Sequence, residues 1–141
     1  MREYEPPGQQ TVGIFCDPNP TTSEAADQIA RLAASEAWDC IREGGRVVLW
    51  GPGLEPSLPG ESRSLWALLE WLARYPQPST DPSSGLPLVR DAIGVTSGAS
   101  ELAEALETVR QRGGRVRAWV VGDAEVDLEV PIQRVGTAWP L

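Results

Sequence analysis

A chain of 141 residues with 41% hydrophobic content has room for one domain and one core, and a formal charge of -8 gives it no basic face of the kind nucleic acid or an anionic membrane requires. The chain has no His, and all 12 basic residues are Arg, which excludes imidazole bases, His metal ligands, Schiff-base lysines and the phosphate-loop lysine. No apolar run approaches the roughly 20 residues of a membrane span, and the opening Met1-Arg2-Glu3-Tyr4-Glu5 lacks the apolar heart of a signal peptide.

Residues 1–10, with Tyr4 among charges and Pro6-Pro7-Gly8 behind it, read as an extended arm ahead of a single domain over residues 11–141. Thr11–Cys16 is a short apolar run, the pattern of a strand buried on both faces. Asp17-Pro18-Asn19-Pro20 continues neither a strand nor a helix, because two prolines remove donors and fix φ. A long amphipathic helix starts near Thr21–Ser23, with Thr21 and Glu24 spaced as a capping box. Ala26, Ile29, Ala30, Ala33, Ala37, Cys40 and Ile41 fall on one face, and Gly44-Gly45 ends the helix.

Arg46–Trp50 reads as the second strand and Gly51–Gly60 as a Pro/Gly loop. Ser62 or Ser64 can cap a second helix whose core stripe is Leu65, Leu68, Leu69 and Leu72, with Trp66 and Trp71 flanking it as further core residues. Tyr75-Pro76 stops that helix, and a proline-rich surface crossover follows over residues 76–88. Ala92–Thr96 is the third strand. Ser97 or Ser100 opens a third helix with Leu102, Ala105, Leu106 and Val109 inward, Glu101 and Glu104 near its start, and Arg110 and Arg112 near its end. Arg115–Val121 is the fourth strand, residues 123–129 form an acidic solvated loop, and Val130–Val135 is a final edge strand, since Pro131 is tolerated only at an edge.

Gly44-Gly45-Arg46-Val47 and Gly113-Gly114-Arg115-Val116 join helix to strand in the same way. Trp50 and Trp119 belong to strand runs and to the core, and Trp139 is the best candidate for a docking anchor. Cys16 and Cys40 read as buried reduced thiols, and a Cys nucleophile without a His partner is improbable. The alternation of strand and helix patterns gives an α/β fold: a three-layer, doubly wound, mostly parallel sheet with helices on both faces. Ligands of such sheets bind beyond the carboxyl ends of the strands, where Asp17–Thr21, Gly51–Gly60 and Thr96–Ala99 lie.

Asp17, Asn19 and Thr21 place oxygen groups at alternate positions just after a strand, a spacing that can aim a carboxylate, an amide carbonyl and a hydroxyl at one hard cation. The plainer reading is a proline-stiffened turn with Thr21 as the helix cap. Gly51–Gly60 resembles a phosphate loop only in its glycines, for it lacks the Gly-Lys-Ser/Thr ending.

Strand-Asp17-Pro18-Asn19-Pro20-Thr21-helix resembles the Asp-x-Ser-x-Ser metal-ion-dependent adhesion site of von Willebrand factor A-like domains, in degenerate form. Arg2-Glu3-Tyr4-Glu5-Pro6, the Gly44-Gly45-Arg46-Val47-Val48-Leu49 run and Leu68-Leu69-Glu70-Trp71-Leu72-Ala73-Arg74 resemble a bacterial family of unknown function that carries such a domain and is often encoded beside MoxR-type AAA+ ATPases. The resemblance implies a Rossmann-like sheet of six strands with one antiparallel edge strand. It matches Asp17 to the first metal-site acid and puts Asn19 and Thr21 where serines are usual. Ser62 or Ser64 stands near the distal Thr. Ser97, in Thr96-Ser97-Gly98, takes the place of the acid of the usual Thr-Asp-Gly.

With that acid lost, the resemblance implies a vestigial site that holds Mg²⁺ or Mn²⁺ weakly or not at all, and a non-enzymatic protein-interaction module serving an AAA+ chaperone system. Family chains begin with membrane-spanning helices, so the chain reads as a cytoplasmic fragment of a membrane-anchored protein, with no direct membrane contact of its own. The alternative is a metal-dependent hydrolase or small phosphorylated-ligand binder built on Asp17, which needs a second carboxylate such as Asp81 or Asp91 close by.

Overall fold

The computed structural model describes residues 11–55, 65–78, 85–98, 100–123, 126 and 128–136, with the side chains of Leu65 and Ser100 excepted. Five strands, β1 (Thr11–Cys16), β2 (Arg46–Trp50), β3 (Asp91–Thr96), β4 (Arg115–Val121) and β5 (Ile132–Val135), form one sheet in the order β2-β1-β3-β4-β5. All four pairings are parallel. An antiparallel edge strand is not among the described residues. The final strand pairs parallel to β4, and Pro131 lies just before it, its carbonyl accepting from the Ala118 N–H.

The side-chain alternation of β1 assigns the two layers. Ile14 and Cys16 enter a core shared with α1 (Ser23–Arg42) and α2 (Leu65–Arg74), while Phe15 enters a second core with α3 (Ser100–Gln111). No described helix is long and apolar enough to cross a membrane.

Thr22, not Thr21, caps α1, its Oγ1 accepting the Ala25 N–H at 3.0 Å. The buried stripe runs through Ala25, Gln28, Ile29, Leu32, Ala33, Ala37 and Ile41. It is rotated from the expected face, so that Ala26, Ala30 and Cys40 are only half-buried. The repeated Gly-Gly-Arg-Val turn is a Schellman motif at both places. Gly44 and Gly113 adopt φ of 86° and 85°, and the next glycine's N–H reaches back to Cys40 at 2.9 Å and to Val109 at 3.0 Å.

In α2 the stripe differs from the expected one. Leu68, Trp71 and Leu72 are buried, whereas Leu69 is 40% and Trp66 73% exposed. The physical reason is that α2 packs against α1 at the side of its layer, so only a narrow stripe at i, i+3 and i+4 is covered. Trp71 completes its burial by donating its indole N–H to the Glu55 carbonyl. Helix α3 begins at Ser100 and buries Leu102, Ala105, Leu106 and Val109 as its pattern predicts. Trp50 is core. Trp119 is half-buried and donates its indole N–H to Glu36 Oε1 at 3.1 Å, beside the two-pronged Arg117–Glu36 ion pair. Trp139 lies outside the described residues.

Candidate functional site

The chain leaves β1 toward β2 on one side and returns to β3 on the other, so the switch in strand direction falls between the carboxyl ends of β1 and β3. Asp17 follows the last residue of β1 at that point. Its N–H extends the ladder to the Val95 carbonyl at 3.0 Å, and the residue is fully buried.

The Asp17 carboxylate is held by four donors of the chain. Oδ1 accepts the Asn19 N–H at 2.8 Å. Oδ2 accepts the Thr96 hydroxyl at 2.9 Å, the Ser97 N–H at 2.8 Å and the Ser97 hydroxyl at 3.2 Å. Both hydroxyls also accept: Thr96 Oγ1 from the Gly98 N–H and Ser97 Oγ from the Thr21 N–H, each at 3.0 Å. The Tyr75 hydroxyl donates to the Asp17 carbonyl and so ties the end of α2 to the same point. A buried charge is tolerable only with such satisfaction, and bonds to an ionised acceptor are the strong ones.

The structure brings Asp17 and Ser97, both singled out in the sequence, into direct contact. Asn19 and Thr21 engage through backbone N–H donors, and their residues are exposed at the loop tip. Among the described residues, no group of three or more His, Cys, Asp or Glu side chains is arranged to hold a metal. Asp91 opens β3 opposite Val12, at the amino end of the sheet, and so cannot be the second carboxylate beside Asp17. Asp81, Ser62 and Ser64 lie outside the described residues.

Two neighbours have titration behaviour that bears on chemistry. Burial, and then the Asp17 charge, push the Cys16 thiol far above its usual range, which keeps it protonated. Burial likewise pushes the Tyr75 phenol up, with Cys16 and Asp17 adding to the effect, so that Tyr75 acts as a neutral donor. A thiolate or phenolate nucleophile is thus disfavoured at this place.

Sequence reasoning missed Tyr75, and it placed Thr96 in the loop at this edge without assigning its hydroxyl to Asp17. Tyr75 reads as a helix stop, yet it lies three residues beyond Leu72 on the buried stripe, where a tyrosine needs a partner for its hydroxyl. Gln28 was also passed over. It is fully buried in α1 and donates its Nε2 to the Gly136 carbonyl at 3.2 Å. No protein-family model matches the chain, and no curated protein or solved structure shows significant similarity to it.

Proposed function

We propose that this chain is a non-enzymatic protein-interaction module in which a von Willebrand A-like adhesion site has become a self-contained clasp. The observation that carries the reading is the Asp17 carboxylate, fully buried and engaged by four donors from Asn19, Thr96 and Ser97. A cation at this point would share the carboxylate with those donors, with room only on Oδ1, and would have to find its remaining oxygens elsewhere. The contact surface is then the set of loops at the carboxyl edge of the sheet, read by shape and polar contacts. A MoxR-type AAA+ ATPase as partner is carried by family analogy alone.

Thermal unfolding in about 10 mM Mg²⁺ or Mn²⁺ against EDTA tests the metal-free clasp, because a site with Kd of about 0.1 mM would add about 2.7 kcal/mol and raise Tm by several degrees. Coincident curves are the expected result. A metal-dependent rise overturns the clasp and restores the hydrolase or phosphorylated-ligand reading of Asp17. The partner is tested separately by titrating the chain with a purified MoxR-type ATPase from the same genome. Saturable binding is expected, and its absence removes that assignment.

A further inference from the structure

At the amino end of the sheet, on the face that carries α1, a hollow of about 430 Å³ opens among the described residues. Val12 of β1, Asp91 of β3 and Arg115 of β4 stand in one register row across it. Ile93 and Arg117 stand two residues further along and so share the same face. Pro131, just before β5, lines the far side. The size, and the apolar walls with a few charged groups among them, are those of a small-molecule site.

The charged groups specify the occupant. Arg117 is already engaged, since Glu36 of α1 accepts from its guanidinium at 3.1 and 2.7 Å. Asp91 and Arg115 are neighbours across the β3–β4 ladder, where strands run about 4.8 Å apart, yet neither makes an ion pair among the described residues. Asp91 is partly buried. Its Oδ1 is enclosed without a donor, and Oδ2 is the oxygen left accessible. Arg115 is exposed. The hollow therefore holds a carboxylate short of donors and a guanidinium short of an acceptor side by side, next to apolar Val12, Ile93 and Pro131. A carboxylate desolvated in this way gains from any donor that reaches it.

We infer that this hollow binds a free apolar α-amino acid, whose ammonium donates to Asp91 Oδ2, whose carboxylate accepts from Arg115, and whose side chain lies against Val12, Ile93 and Pro131. This class fits because it carries both charges on one carbon with an apolar group beside them. The planar fork of Arg115 suits a carboxylate. An inorganic anion satisfies Arg115 but is repelled by Asp91, and a polyamine satisfies Asp91 but is repelled by Arg115 and Arg117. The hollow lies at the edge of the sheet opposite Asp17, and the inference goes beyond the interaction-module reading.

The test is titration of the ¹⁵N-labelled chain with L-leucine, followed through the backbone amides. N-acetyl-leucine and leucinamide serve as probes that each lack one of the two charges. Leucine is expected to shift the amides of Asp91, Ile93, Arg115 and Arg117 saturably and to leave those of Asn19 and Thr21 in place. Each single-charge probe is expected to bind the parent chain about tenfold more weakly, the loss of one charge-assisted contact. Asp91→Asn and Arg115→Gln are each expected to weaken leucine about tenfold as well. Removing the exposed α3 pair in Glu107→Gln/Arg110→Gln, on the other face of the sheet, should change binding by less than about twofold.

The absence of a saturable shift, shifts at Asn19 and Thr21 instead, or a single-charge probe that binds as tightly as leucine overturns the assignment. Equal weakening by the α3 pair overturns it too. The two probes act on the parent chain, so the outcome stands even where a variant fails to fold. ATPase binding is judged apart from either result.

Discussion

Replacing Asp17 by asparagine keeps the shape of the clasp and removes its charge. The amide can turn so that its oxygen stays with the Thr96 hydroxyl and the two Ser97 donors, but its NH₂ then faces the Asn19 N–H, donor against donor. Losing one bond to a buried carboxylate costs about 1.5–3 kcal/mol, and the three surviving bonds fall from charge-assisted to neutral strength. A total loss of about 3–5 kcal/mol follows, a large share of the roughly 5–15 kcal/mol that holds a domain folded. For a chain of this length that is a fall in Tm of about 10–15 °C.

The assay is equilibrium urea unfolding at neutral pH beside a calorimetric scan, with Ser97→Ala as comparator. Ser97→Ala removes one donor to Oδ2 and the acceptor of the Thr21 N–H, and should cost about 1–2 kcal/mol. An Asp17→Asn variant as stable as the parent, or more stable, would refute the reasoning. A charged site kept for a ligand at the expense of stability responds in that way when its charge is removed.

Two further predictions concern the same corner of the molecule. In Gly51→Ala the new Cβ would run into the Cys16 carbonyl oxygen and the Leu54 side chain; the backbone atom cannot yield, so urea unfolding should show a loss of about 2 kcal/mol. Unchanged stability would mean that the end of β1 and the loop after β2 are not in close contact. The thiols should react in order with a disulfide reagent at about pH 8, where an unperturbed cysteine is partly thiolate. Cys40, half-buried and raised by burial and then by Glu43, should react slowly, and Cys16, fully buried and raised further, only once urea unfolds the chain. Equal rates for the two would contradict the burial of Cys16.

The sheet was legible because continuous apolar runs bounded by Pro and Gly leave little choice. Thr11–Cys16 and Arg46–Trp50 are strands at those limits. The misreadings have tertiary causes. Thr21 and Thr22 are equivalent caps in local sequence, and the choice falls on Thr22 while the Thr21 N–H is taken by Ser97, 76 residues away. Trp66 and Leu69 suit a buried stripe by type, but exposure depends on which neighbours cover α2. The site was half legible. Asp17 and Ser97 could be brought together by topology. The donors that fill the carboxylate include backbone N–H groups, which leave no mark in a sequence, and Tyr75 arrives from 58 residues away.

The Asp17 clasp also divides the loop that carries it into two parts under different constraint. Its anchoring depends on Asp17, Thr96, Ser97 and the Tyr75 hydroxyl, while Asn19 and Thr21 contribute there only the N–H that nearly every residue type possesses. Their side chains can therefore change without touching the anchor. The tip behaves as an interchangeable label on a fixed mount, free to drift or to acquire new contacts over evolutionary time. Because the mount is already tied to the sheet by hydrogen bonds, a newly acquired contact would have less ordering entropy to overcome on association.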